Sequence, residues 1–120
     1  MKSNETTDAI LENLVQELKR GTLVLSVLIA LEKPMYGYSL VTALQERKVD
    51  VEQNTLYPLL RRLEKQGLLE SSWETGESRP RKYYRISPTG IEIRGRLRDE
   101  WAAINGAIQE METNQGETER

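Results

Sequence analysis

The sequence predicts a mostly α fold with a β-hairpin wing, and three observations predict it. Apolar residues recur at helical spacing from Ile10 to Leu63, give way to strand-like alternation between Leu69 and Ser87, and return to helical spacing behind Ser87-Pro88. A chain of 120 residues with 38% hydrophobic side chains has material for one domain around one modest core.

Residues 1–7 are polar and are expected to form a flexible N-terminus. Asp8 can cap a helix whose apolar stripe is Ile10, Leu11, Leu14, Val15 and Leu18 and which ends at Lys19 and Arg20. At Gly21-Thr22 the glycine either kinks one long helix or separates two. Leu23 to Leu31 is apolar all round apart from Ser26, so it reads as a buried central helix. Pro34 closes that element, because proline disfavours helical backbone at the residue before it. A further helix from Tyr36 to Lys48 turns Leu40, Val41 and Leu44 inward. Its first turn, Tyr36-Gly37-Tyr38-Ser39, offers backbone N–H groups suited to a phosphate. Packing on the buried helix is the competing use of both tyrosines and the favoured one for Tyr36.

The organising stretch is Gln53 to Gly67. Leu56, Leu59, Leu60 and Leu63 fall at i, i+3, i+4, i+7 and must press on a core, while Asn54, Pro58, Arg61 and Lys65 occupy the opposite face, flanked by Tyr57 and Arg62. Pro58 sits early enough to be tolerated or to cause a slight kink. Gly67 supplies the left-handed residue that ends a helix. The polar face is either a solvated surface or a reader of phosphates and base edges.

After Gly67, Leu69 to Thr75 and Arg81 to Ser87 read as two strands joined by Gly76-Glu77-Ser78-Arg79-Pro80. Trp73, Tyr84 and Ile86 are expected on the inward face, with Arg79, Arg81, Lys82 and Arg85 at the turn and outside. Such cations can hold a polyanion or blunt a hairpin edge against aggregation. Ser87 is the N-cap and Pro88 the first residue of the last helix. There Leu97, Trp101, Ile104, Ile108 and Met111 step by 4, 3, 4, 3, which is the narrow seam of a coiled coil. That seam and the stripe of Leu11, Leu14 and Leu18 both lack a partner, and pairing two chains covers both. The expected organisation is a winged domain over residues 8–87, a dimerisation helix over 88–112 and a disordered tail over 113–120.

With no cysteine and no histidine, disulfides, thiol chemistry and imidazole catalysis are excluded, and a metal would have carboxylates alone. No constellation of nucleophile, base and oxyanion donor stands out, so neither an enzyme nor a cofactor is expected. No secretory pattern is seen and the longest apolar run is too short to span a bilayer, so a cytoplasmic location is expected. The net charge of −2 hides an asymmetry. Residues 61–98 hold ten basic against five acidic side chains, and residues 99–120 hold one against six. The local field of the middle block, not the total, is what draws phosphate.

Three helices followed by a hairpin, with the third helix and the hairpin both basic, is the winged helix-turn-helix order. Three separated motifs then carry a resemblance. They are Tyr36-Gly37-Tyr38-Ser39-Leu40, the run from Asn54-Thr55-Leu56-Tyr57-Pro58 to Gly67-Leu68, and Arg81-Lys82-Tyr83-Tyr84-Arg85-Ile86-Ser87 with Gly90. Over roughly residues 21–90 the chain resembles the PadR family of bacterial transcriptional regulators, and its short single C-terminal helix resembles the smaller subfamily. Many members carry Gly where this chain has Asn54.

The resemblance implies a homodimer that binds a palindromic operator on double-stranded DNA and usually represses. It places DNA contacts on Tyr38, Asn54, Thr55, Tyr57 and Arg61 and on the wing residues Arg79, Arg81 and Lys82. By chemistry, Asn54, Thr55 and Arg61 suit base edges or the phosphates beside them, and Lys65 and the wing cations suit phosphates. Some small members also have a tryptophan at the place of Trp101, facing a pore where planar drug-like molecules stack. Trp101 therefore either packs across the dimer or receives a planar aromatic effector. The alternative function is a winged-helix module for protein contacts without specific DNA binding.

Overall fold

The computed structural model describes residues 2–76 and 80–118. In chain order its elements are α1 (Lys2–Arg20), α2 (Leu23–Ala30), β1 (Met35–Tyr36), α3 (Gly37–Glu46), α4 (Gln53–Lys65), β2 (Leu69–Glu74), β3 (Arg81–Ile86) and α5 (Pro88–Thr118). The mostly helical class with a hairpin wing is therefore observed.

The core is where the helical spacing put it. Val27 and Leu28 of α2 meet Leu40, Val41 and Leu44 of α3, all four leucines of the α4 stripe, and Leu69, Tyr84 and Ile86 of the sheet. Ile93 and Leu97 of α5 pack on the same cluster. Burying a Leu contributes about 1.5–3 kcal/mol, so the α4 stripe is a major tie between this helix and the domain.

Local signals set the boundaries. Gly67 has φ +83°, Gly67 N–H donates to Glu64 O at 2.9 Å and Leu68 N–H donates to Leu63 O at 2.9 Å. This closes α4 with the paired bonds of a left-handed C-terminal cap. Ser87 caps α5, its Oγ accepting from Gly90 N–H at 3.0 Å while donating to Gly67 O at 2.6 Å. That buried serine thus locks the end of α4 to the start of α5.

β1 was not expected. Its two residues pair antiparallel with β3, Met35 opposite Tyr84 and Tyr36 opposite Tyr83, giving a three-stranded sheet of order β1-β3-β2 among the described residues. A two-residue strand carries no alternation, so only its partner reveals it.

Gly21 separates two helices. Thr22 N–H and Thr22 Oγ1 both donate to Lys19 O, at 3.1 and 3.0 Å, while Ser26 N–H returns to Thr22 O. α1 starts at Lys2 rather than at Asp8. No glycine or proline lies between, and Glu5 favours the positive end of the helix dipole. α5 continues to Thr118, past the expected end at residue 112, because the intervening Gly116 costs a helix about 1 kcal/mol without stopping it. α2 is not enclosed on all sides. Val27 and Leu28 are fully buried but Ile29 is 48% exposed, since the domain covers one face of that helix and leaves the other open.

Candidate nucleic-acid interface

α4 turns its leucines inward and leaves Asn54, Thr55, Pro58, Arg61, Arg62 and Lys65 exposed. Tyr57 is half-buried because its ring fits against Gly37, at the start of α3. Tyr38, one residue on, is 67% exposed at the N-terminus of α3, where Tyr36 makes no side-chain cap. The first-turn N–H groups of α3 therefore lie beside the outer face of α4.

A groove of about 710 Å³ runs between the start of α3, α4 and the hairpin. It brings together five of the expected contact residues, Tyr38, Tyr57, Arg61, Arg81 and Lys82. Asn54 and Lys65 are exposed on α4 outside this groove. Thr55 lines a separate cleft with Lys19 and Arg20 at the end of α1. Arg79 lies outside the described residues.

The hairpin register revises two expectations. Trp73 pairs with Lys82, Ser71 with Tyr84 and Leu69 with Ile86, so Lys82 shares the inner face with Tyr84 and Ile86 rather than the outer face. Trp73 does lie on the inner side, yet it is 61% exposed, because the hairpin extends beyond the edge of the core. The alternation 82, 84, 86 carried this information, but the basic character of Lys82 suggested solvent.

On the inner face, Lys82 Nζ donates to Glu64 Oε1 at 3.1 Å, and Ser71 Oγ donates to Glu64 Oε2. The same ammonium stands 5.9 Å from the centroid of the Trp73 ring and 5.1 Å from that of Tyr84. The Ser71 hydrogen bond is the largest influence holding the Glu64 carboxyl below its usual range, and the Lys82 bond adds to it against the opposing effect of burial. Burial is the largest single influence on Lys82 and pulls its pKa down. The bond to Glu64 and the neighbouring Tyr84 outweigh it, so the ammonium is held above its usual value.

The outer face has its own aromatic cluster. Tyr36 and Tyr83 stack with centroids 4.0 Å apart, Tyr83 O–H donates to Tyr36 Oη at 2.5 Å, and Tyr36 O–H donates to Glu74 Oε1 at 3.4 Å. That donation to Tyr36 is the main reason the Tyr83 phenol is pushed well above its ordinary range. The Arg81 guanidinium lies 5.1 Å from the Tyr36 ring centroid. Arg85 is outward as expected and pairs with Glu70 at 3.2 Å. Sequence reading missed Glu64, Ser71 and the Tyr36–Tyr83 pair, whose meaning depends on strand pairing.

A second surface lies on the helices outside the winged domain. From Glu5 to Arg20 every residue of α1 is exposed except Val15, which is half-buried. Leu11, Leu14 and Leu18 are thus uncovered, as are Trp101, Ile104, Ile108 and Met111 of α5. Leu97 differs from the rest of its seam, being half-buried against its own domain. A cleft of about 950 Å³ between α2 and α5 is lined by Leu25, Ile29, Ile91 and Trp101 among others. Among the described residues no cluster of three or more acidic side chains is placed to hold a metal, and no helix is long and apolar enough to cross a membrane.

The comparisons with known proteins agree with this architecture. The model of the Transcriptional regulator PadR-like family matches residues 24–96, which run from α2 into α5. The chain is similar to a crystal structure of a PadR family transcriptional regulator from Eggerthella lenta, with a TM-score of 0.86 and 44% identity over 89% of this chain and 96% of that one. Transcriptional regulator Rv3488 of Mycobacterium tuberculosis is 31% identical over 105 residues, 87% of this chain and 95% of the relative. PadR of Bacillus subtilis, solved in complex with operator DNA, is alike in fold, with a TM-score of 0.59 and 17% identity over 63% of this chain and 45% of that one. With more than half of its length matched by the family model and a relative above 30% identity along nearly all of it, the chain belongs to the PadR-like family of transcriptional regulators.

Proposed function

We propose that the protein is a homodimeric repressor that binds a palindromic operator through α4 and the hairpin wing of each subunit. The observation that carries this reading is the polarity of α4, with four leucines buried on one side and Asn54, Thr55 and Arg61 exposed on the other, beside a groove lined by Arg81 and Tyr38. Asn54 and Arg61 are the side-chain types that read base edges, and Lys65 and Arg81 act on phosphates. The operator-DNA complex of the Bacillus subtilis protein supports the same use of this fold.

Dimerisation is supported by the uncovered apolar stripes. Leu11, Leu14 and Leu18 on α1 and Trp101, Ile104, Ile108 and Met111 on α5 are large apolar side chains at helical spacing that the single chain leaves uncovered, which is what a second copy would bury. Trp101 stands at the wall of the α2–α5 cleft, where it either packs across the dimer or offers its flat face to a planar aromatic effector that releases the operator.

The deciding experiment is a gel shift on the promoter upstream of the protein's own gene, at stated salt and with unlabelled nonspecific competitor. A shifted band that survives the competitor is expected. Loss of the band to competitor at every salt concentration overturns specific recognition.

A further inference from the structure

An acidic residue on a DNA-reading helix works against phosphate binding unless it serves something else, and Glu64, on the flank of α4 that faces the wing, has a half-buried carboxylate with both oxygens engaged. Its two partners come from different strands of the wing, Ser71 from β2 and Lys82 from β3. They also lie at successive levels of the hairpin, since Ser71 pairs with Tyr84 and Lys82 with Trp73. Below this point the hairpin is anchored by the buried pair Leu69 and Ile86. At the Lys82 level Trp73, its cross-strand partner, is 61% exposed, so apolar anchoring has ended there.

From this geometry we propose that Glu64 is a positioning residue that clamps the wing to α4 and so fixes the offset between Arg61 and the wing cations, and that Lys82 serves this clamp instead of a phosphate. The proposal rests on the DNA-binding reading above. It assigns Glu64 and Ser71 a part in recognition, and it takes Lys82 out of the contact set. The ammonium of Lys82 is occupied on one side by the Glu64 carboxylate and on others by the Trp73 and Tyr84 rings, which leaves it poorly placed to release a counterion from DNA. A clamp of this kind contributes to sequence discrimination because a wing held at one distance from α4 contacts the duplex only when α4 is in register.

Two simple ideas predict opposite signs for Glu64→Gln, which keeps the side-chain shape. If Glu64 is merely a negative charge near DNA, removing it tightens binding to every duplex. If it is a clamp, operator affinity falls by about two- to fivefold, the worth of a partly solvated ion pair, while nonspecific affinity does not fall. Lys82→Gln is expected to lose a similar factor with the slope of log K against log salt unchanged. A phosphate ligand would instead lower that slope by about 0.9 for each subunit bound. The double variant is expected to be no worse than the worse single one.

Hydrogen exchange on the full-length protein without DNA measures the clamp itself. Amides of Ser71 to Glu74 and Arg81 to Tyr84 are expected to exchange several-fold faster in Glu64→Gln, with the α4 amides unchanged. Unchanged wing exchange overturns the clamp whatever the DNA data show. Faster wing exchange with undiminished operator affinity overturns the positioning role, as does a reduced salt slope in Lys82→Gln. If the wing loosens but the wild-type protein binds no duplex specifically, the DNA-binding reading has failed, and the free-protein data separate that case from the others.

Discussion

Gly37 and Tyr57 interlock at the junction of α3 and α4: a Cβ added at residue 37 would stand 2.6 Å from Tyr57 Cε1 and 3.3 Å from its Cδ1. A side chain at residue 37 would have to displace the ring across from it. Through this contact the start of α3 and the outward face of α4 are held at one spacing, and both lie on the groove proposed to meet DNA.

Gly37→Ala is therefore expected to destabilise the protein by about 1–3 kcal/mol, the usual cost of overpacking, and to weaken operator binding as Tyr57 is displaced. Urea denaturation checks the first effect and fluorescence anisotropy the second. Combining it with Tyr57→Ala is expected to cost less than the sum of the two, because the ring that collides with the new methyl is gone. Strict additivity would show that the contact is not the reason for the glycine.

Arg61→Ala is expected to lower specific operator affinity by about 1–3 kcal/mol while leaving thermal stability within about 0.5 kcal/mol of wild type. Arg61 is exposed and takes no part in the buried leucine stripe, so its truncation leaves the core packing intact. Operator anisotropy at fixed salt reads the change. An undiminished affinity removes Arg61 from the reading face.

The Glu64 network sets an acid-side pH dependence. Its carboxyl is held below the ordinary value by the Ser71 and Lys82 bonds, so the folded state binds a proton less readily than the unfolded chain. The stabilisation is complete above the unfolded-state value of 4.5 and is lost as pH falls through the lower folded value. At neutral pH Glu64→Gln is expected to be less stable than wild type by under about 1 kcal/mol, since the pair is partly solvated. That gap should close on acidification below pH 4.5 in urea unfolding series. A gap that stays constant down to pH 2 would refute the linkage.

How much of this was readable in advance depended on the range of the interaction that decides each feature. The α4 stripe, the Gly67 cap and the Ser87 cap follow from spacings of a few residues, and each is present in the structure. β1 depends on pairing Met35 with Tyr84, 49 positions along the chain, and nothing local marks it. The inner position of Lys82 was available from its alternation with Tyr84 and Ile86. What the sequence could not show was the acceptor, Glu64, which makes an inward lysine tolerable. The exposure of Trp73 depends on where the core stops under the hairpin, a property of the whole packed domain.

The helical seam supplies the last prediction. Ile104 and Ile108 are 60% and 46% exposed in the single chain and stand apart from the domain core, so charging them leaves the protomer's own packing untouched. In a dimer built on α5 they occupy adjacent turns of the interface, where buried unpaired carboxylates are strongly unfavourable. The pair Ile104→Glu and Ile108→Glu is expected to convert a dimer into a folded monomer, read by sedimentation velocity with circular dichroism to confirm the fold. Truncation before Arg98 should do the same, because it removes Trp101, Ile104, Ile108 and Met111 but keeps Leu97 on the core. A truncated chain that still sediments as a dimer would place the subunit contact elsewhere, with the uncovered face of α2 around Ile29 as the next surface to charge.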